Sequence, residues 1–180
     1  AFALLQQLAD GSTEFATASR LLVRRRADLL PAAGMRSLRA LATSTDEVRA
    51  VLALATRHRV PVVPVGARSG KSGGALPLRG GIALSLERMN RILELSPEDL
   101  TARVEPGVVT GVLQAEVEKH GLFYPPDPNS LDMCSIGGNV AENAGGPRAL
   151  KYGVTREYVL GLTAVLPTGE VVKVGKRTIK

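Results

Sequence analysis

Two glycine-rich segments carry the residue types and spacing from which chemistry can be argued. The first runs Gly66-Ala67-Arg68-Ser69-Gly70-Lys71-Ser72-Gly73-Gly74, and the second spans residues 135–146, with Ser135, Gly137, Gly138, Asn139, Asn143, Gly145 and Gly146 as its polar and glycine positions. Glycine has no Cβ, so such runs let successive backbone N–H groups turn into one concavity, a nest that attracts phosphate oxygens. Either segment alone also reads as a tight turn. The pair points to a diphosphate held from two sides. A nucleoside triphosphatase is the nearest competitor, because Gly70-Lys71-Ser72 looks like the end of a P-loop. That motif needs a glycine where Val65 stands, and it opens a helix, whereas this segment runs on into Gly73-Gly74-Ala75-Leu76-Pro77. No GxGxxG occurs, so a Rossmann site has no local support. His58 and His120 fall near predicted helix C-termini, where an imidazole suits the dipole, and neither makes a metal-ligand spacing with the other or with Cys134. Cys134 borders the second segment and reads most simply as a small buried residue at a turn.

The bulk properties narrow the partners. At 180 residues, 44% hydrophobic and 22% charged, the chain has the composition of one ordinary globular domain. A formal charge of +6 invites an anion, which could be nucleic acid, anionic lipid or a phosphorylated cofactor. Aromatic residues at 3% and the lack of Trp argue against base stacking, so nucleic acid is not expected as a partner. The basic run Arg24-Arg25-Arg26, with Arg20 nearby, reads as a solvated surface. A single cysteine excludes an internal disulfide and fits a reducing, cytoplasmic setting. No apolar run is long enough to span a bilayer, and the opening AFALLQQLAD does not read as a signal peptide.

The elements that must position these segments are legible from residue 43 onward. Ser44 or Thr45 caps a helix whose first turn holds Asp46 and Glu47, with Val48, Val51, Leu52 and Ala55 at helical spacing. Residues 60–65 form a short strand, which Pro61 and Pro64 confine to an edge or make irregular. Residues 66–81 are a long loop. Strands follow at 82–86 and 101–105, then a helix at 109–120 closed by Gly121 with Leu122 packing back. Residues 124–152 read as a long functional loop without periodicity. Residues 159–166 and 170–174 form a β-hairpin around Pro167-Thr168-Gly169. The result is an α+β arrangement, with residues 1–42 the least informative.

The residues now carry a specific likeness. The stretch PVVPVGARSGKSGGALPLRGGIALSLERMNRI, followed by VEPGV, HGLFYPPDP, CSIGGNVAENAGG, LKYGV and VLGLTAVLPTGEVV, resembles the FAD-binding (PCMH-type) domain of the vanillyl-alcohol-oxidase family. Within that family it is similar to the branch of glycolate oxidase flavin subunits and FAD-linked D-lactate dehydrogenases. The likeness covers residues 43–180, while residues 1–42 match only loosely. It implies an α+β fold of two subdomains with FAD between them, incomplete here at the C-terminus. Gly66, Ser69, Gly70, Gly73 and Gly74 would donate to the diphosphate, and Ser135, Gly137, Gly138 and Asn139 would hold it from the other side. Pro126, in the Pro126-Asp127-Pro128 turn, would lie near the cofactor. Asn143, Gly145 and Gly146 would lie near the flavin, with Tyr152 and Gly153 close behind. Loops of relatives that tether FAD carry a His where this one has Ser72, so the FAD is expected to be non-covalent.

Two positions depart from the family pattern. Arg68 stands where a small residue is usual and Lys71 where a neutral one is usual. Either the side chain at 68 distorts the loop, or the two cations add charge beside the diphosphate. The activity that the resemblance implies is oxidation of a D-2-hydroxyacid to the 2-oxoacid, with electrons passed to a quinone, cytochrome or iron-sulfur partner. Substrate contacts and the catalytic base belong to later segments of the family pattern, so a cofactor-binding module without turnover of its own is the alternative.

Overall fold

The computed structural model describes residues 37–176 together with Thr13. The Arg24–Arg26 run, the rest of the opening segment and residues 177–180 lie outside the described residues. The described chain falls into two compact units, one made of residues 37–65, 73–85 and 163–174, the other of residues 66–72, 86–162 and 175–176.

The first unit is built on a three-stranded parallel sheet. Strand β1 (Ser37–Leu41) leads to helix α1 (Thr45–Arg57), which carries the chain to β2 (Val62–Val65), and a long loop then returns it to β3 (Gly81–Ser85). β3 sits in the middle, paired in parallel with β1 on one side and β2 on the other. All five of its residues are buried, as a central strand covered on both faces requires. β2 is an edge, which is where Pro64, lacking an N–H for the ladder, is tolerated. Helix α1 starts as its sequence dictates. The Ser44 side chain accepts from the Glu47 N–H at 3.2 Å, and the Glu47 carboxylate accepts from the Thr43 N–H and hydroxyl at 2.6 and 2.8 Å. Its buried face is Val51, Leu54 and Ala55. Thr56 donates to the Pro167 carbonyl, and a Cβ on Gly169 would stand 2.9 Å from that of Ala53.

The second unit opens with an antiparallel pair, β4 (Ile92–Ser96) and β5 (Thr101–Val104), irregular between Ile92 and Glu94. Helix α2 (Thr110–Glu118) follows and ends at Gly121, whose φ of +71° turns the chain so that the Leu122 N–H reaches the Val117 carbonyl. Val108, Leu113 and Val117 form the buried centre, with Ile92, Leu95, Val104, Leu122, Tyr124 and Ile136 packed against it. Each such side chain contributes about 2 kcal/mol by leaving water. Two short helices, α3 (Ile136–Glu142) and α4 (Ala149–Tyr152), precede a 3₁₀ turn at Thr155–Tyr158, and the chain then forms a two-stranded sheet of β6 (Gly161–Val165) and β7 (Val171–Gly175), of which residues 163–165 and 171–174 belong to the first unit.

The structure departs from the sequence reading in three places. Residues 124–152 are not one irregular loop, since α3 and α4 lie within them; β1 and β4 were not anticipated as strands. No helix among the described residues is long and apolar enough to cross a membrane.

Candidate functional site

The two glycine segments meet inside the second unit. Gly66 lies so close to the start of α3 that a Cβ on it would stand 2.7 Å from the Ser135 hydroxyl oxygen and 3.8 Å from the Gly138 Cα. The Ser72 hydroxyl faces the Glu142 carboxylate, 3.3 Å from each oxygen, and Gly70 faces the same group. Residues 66–72 therefore lie along α3 from its first turn to its last. Gly73 and Gly74 continue the loop but fall in the first unit.

Backbone donors separate the segments chemically. Among the described residues, none of the N–H groups from Gly66 to Gly74 donates to a protein acceptor. At the start of α3 the opposite holds. The Ile136 N–H donates to Val108 at 2.8 Å, Gly137 to Pro106 at 2.8 Å, Gly138 to the Ser135 hydroxyl at 3.3 Å and Asn139 to the Ser135 carbonyl at 2.9 Å. An antiparallel bridge between Val109 and Ser135 completes this seam. Gly137 is required by the seam itself, because a Cβ there would come within 2.6 Å of the Pro106 Cβ. The first loop presents unpaired donors, and the start of α3 is the platform against which it lies.

The platform is held by residues that motif reading did not single out. Thr110, fully buried, receives the Asn139 amide at 2.7 Å and the Cys134 thiol at 3.2 Å, while its own N–H donates to the Cys134 carbonyl at 3.0 Å. Asn139 is thus a buried strut, and Cys134 a packed neighbour of Thr110. Gln114 donates to the carbonyls of Tyr124 and Pro126, which fixes the fully buried Pro126. Glu105, at the head of the Glu105-Pro106-Gly107 turn, accepts from the Arg91 N–H at 2.8 Å and its guanidinium at 2.7 Å. Hydrogen bonding to Arg91 holds the Glu105 carboxyl below the usual range, against the opposing effect of burial.

Beyond α3 the chain is clasped rather than free. Asn143 ends the helix in the left-handed region at φ +51°, its side chain accepting from the Arg156 N–H at 3.1 Å. Asp127 accepts from the Arg148 N–H at 3.1 Å and pairs with its guanidinium at 3.2 Å, while Gly146, at φ +127°, lies against the Asp127 backbone where no Cβ would fit. Gly145 packs beside Ala149 and Val154. Tyr152 stacks edge-on to Phe123 at 5.5 Å, and Gly153 lies against the Glu157 carboxylate. Burial, with Cys134 and Tyr158 nearby, pushes the Tyr124 hydroxyl up to about 12, so it stays protonated.

Of the two sequence departures, Arg68 adopts φ +59°, while Ala67 and Ser69 do not have positive φ. The side chain at 68 has not kept this residue out of the left-handed region that glycine enters freely. No group of three or more His, Cys, Asp or Glu among the described residues could hold a metal ion.

The glycine loop thus leaves a row of amides without acceptors among the described residues, beside a helix start whose amides are committed. Residues 37–175 match the FAD binding domain family, and the chain belongs to it. It is 49% identical over 137 residues to the glycolate oxidase subunit GlcD of Bacillus subtilis, covering 76% of this chain and 29% of that protein. It is 50% identical over 139 residues to the D-lactate dehydrogenase of Anaerostipes hadrus, covering 77% of this chain and again 29% of the relative. Among solved structures, 6-hydroxy-D-nicotine oxidase from Arthrobacter nicotinovorans superimposes with a TM-score of 0.70 at 26% identity, over 93% of this chain and 34% of that one. The chain thus spans about three tenths of the length of the relatives it matches.

Proposed function

We propose that these residues form the FAD-binding part of a flavin-dependent oxidoreductase that converts a D-2-hydroxyacid, of the glycolate or D-lactate type, to the 2-oxoacid. The observation that carries the cofactor assignment is the row of amides from Gly66 to Gly74 with no acceptor among the described residues, backed by a platform whose own amides are committed. The fit to a diphosphate is chemical as well as geometric, because Arg68 and Lys71 put two cations on that loop. In this reading Gly66, Ser69 and Gly70 meet the diphosphate, and Gly73 and Gly74 join them by continuity of the chain. Ser135, Gly137, Gly138 and Asn139 back the loop. Asn143, Gly145, Gly146, Tyr152 and Gly153 shape the flavin side, and Pro126 anchors the turn beside them.

When bound, FAD would supply the redox chemistry, accepting a hydride equivalent from the substrate α-carbon. The residues of this chain bind and orient it and keep the loop in shape. The FAD is held without a covalent bond, since the first loop contains no His and Cys134 is buried against Thr110. The substrate choice rests on the named relatives, as does passage of electrons to a quinone, cytochrome or iron-sulfur partner. We place the protein in the cytoplasm, in keeping with its single cysteine.

The test is FAD titration of this chain, followed by oxidation of D-lactate and glycolate with a dye acceptor by the chain extended with the C-terminal region of its relatives. Tight FAD binding with turnover of either acid supports the reading. FAD binding without turnover of any 2-hydroxyacid would favour a cofactor-binding module, and absence of FAD binding would refute both.

A further inference from the structure

Arg68 occupies a backbone conformation that glycine adopts freely and an arginine does not. Strain of this kind persists where the surrounding structure imposes it, and it clusters at ligand-binding segments. The arginine is exposed, as is Lys71 three residues on, and among the described residues neither forms an ion pair or hydrogen bond with a protein carboxylate. Among the described residues, the carboxylate that faces this loop, that of Glu142, lies against Ser72 and Gly70. Two unpaired cations thus flank a run of amides that also lack acceptors. No partner among the described residues accounts for either charge, and a glycine at 68 would make the same turn with less strain.

We propose that Arg68 and Lys71 form a cationic clamp on the diphosphate of the cofactor, so that this chain holds FAD with a salt-sensitive electrostatic component at the expense of loop stability. The proposal rests on the reading of the loop as the diphosphate site and adds to it the side chains that set affinity. Arg68 reaches the anion with up to two parallel N–H donors, and Lys71 acts as a point charge. Their contribution is screened as the Debye length falls from ~30 Å at ~0.01 M salt to ~3 Å at ~1 M. The amide contacts of the nest are neutral and should change much less over that range.

The experiment measures FAD affinity of the cofactor-stripped full chain by flavin fluorescence across that salt range, for wild type, Arg68→Gly, Arg68→Lys and Lys71→Leu. Inorganic pyrophosphate serves as a competing probe that lacks the flavin. In wild type the affinity should fall about tenfold from low to high salt, and pyrophosphate should compete. Arg68→Gly and Lys71→Leu should each bind FAD about tenfold more weakly at low salt with a shallower salt slope, and Arg68→Lys should keep most of the slope. The cofactor-free Arg68→Gly protein should melt about 2–4 °C higher than wild type, so stability and affinity move in opposite directions. Unchanged affinity and slope in Arg68→Gly and Lys71→Leu would overturn the clamp while leaving the FAD assignment intact. Weaker binding with an unchanged slope would also overturn it, because a loop distorted by the substitution loses affinity at every salt concentration. Failure of wild type to bind FAD at any salt would remove the underlying reading instead.

Discussion

Replacing Gly137 by alanine tests whether this glycine serves the fold or the ligand. Its Cβ would lie 2.6 Å from the Pro106 Cβ, 3.1 Å from the Pro106 Cα and 3.0 Å from the Pro106 oxygen. Carbon atoms in contact prefer about 3.5–4.0 Å, so the two backbones must separate by about 1 Å. The same Pro106 oxygen accepts the Gly137 N–H at 2.8 Å, and that separation breaks the bond. Overpacking costs about 1–3 kcal/mol and the lost hydrogen bond about 0.5–1.5 kcal/mol, which together give about 2–4 kcal/mol. Gly70→Ala is the matched control. Its Cβ would meet only the Glu142 carboxylate at 3.9 Å, at a backbone angle that alanine adopts, so the cofactor-free protein should gain about 0.4–1 kcal/mol. Urea denaturation of both cofactor-free variants followed by circular dichroism, beside FAD titration, gives the two quantities. Gly70→Ala should weaken FAD binding while the fold is kept, whereas Gly137→Ala should lose stability first. A Gly137→Ala protein as stable as wild type but unable to bind FAD would refute the reasoning and return Gly137 to the ligand surface.

The other expectations are more compact. Glu105 has a lowered carboxyl pKa, so its pairing with Arg91 stabilises the fold above the usual carboxylate range and is lost as pH falls through the lower folded value. Glu105→Gln should flatten that acid limb of a stability-against-pH curve, and an unchanged limb would mean the pair contributes nothing. Asp127→Ala removes both contacts to Arg148 and should cost about 1–2 kcal/mol, discounted for the partly exposed guanidinium, with faster amide exchange confined to residues near 145–148. Acid precipitation of the flavin-loaded protein should leave all yellow colour in the supernatant; colour retained in the pellet would show a covalent bond.

Where a local rule decided the structure, the sequence was readable. Ser44 caps α1, Pro64 marks an edge strand and Gly121 stops α2, because each is a constraint that one residue imposes on its own backbone. Helix α3 was not readable, since Ile136-Gly137-Gly138 has poor helix propensity and its first N–H groups are satisfied by Val108 and Pro106, nearly thirty residues away. β4 was hidden for a similar reason: its pairing with β5 is irregular between Ile92 and Glu94, and alternation fails there. At the site, the glycine spacing marked out the two segments that the structure brings together at Gly66 and Gly70. The division between free and committed amides was not, because the spacing of Gly137 and Gly138 is the same whether their N–H groups face a ligand or the Pro106 turn. The clasp of Asp127 on Arg148 and the Thr110 strut left no pattern that a single sequence displays.

The loop that presents these amides is also the connection between two strands that pair with each other, β2 and β3. Joining adjacent parallel strands this way gives the sheet a kinetic gate. β3 cannot register on β2 until residues 66–80 have closed. The ordering of that loop is therefore part of the cost of assembling the sheet, at about 1–2 kcal/mol for each residue fixed.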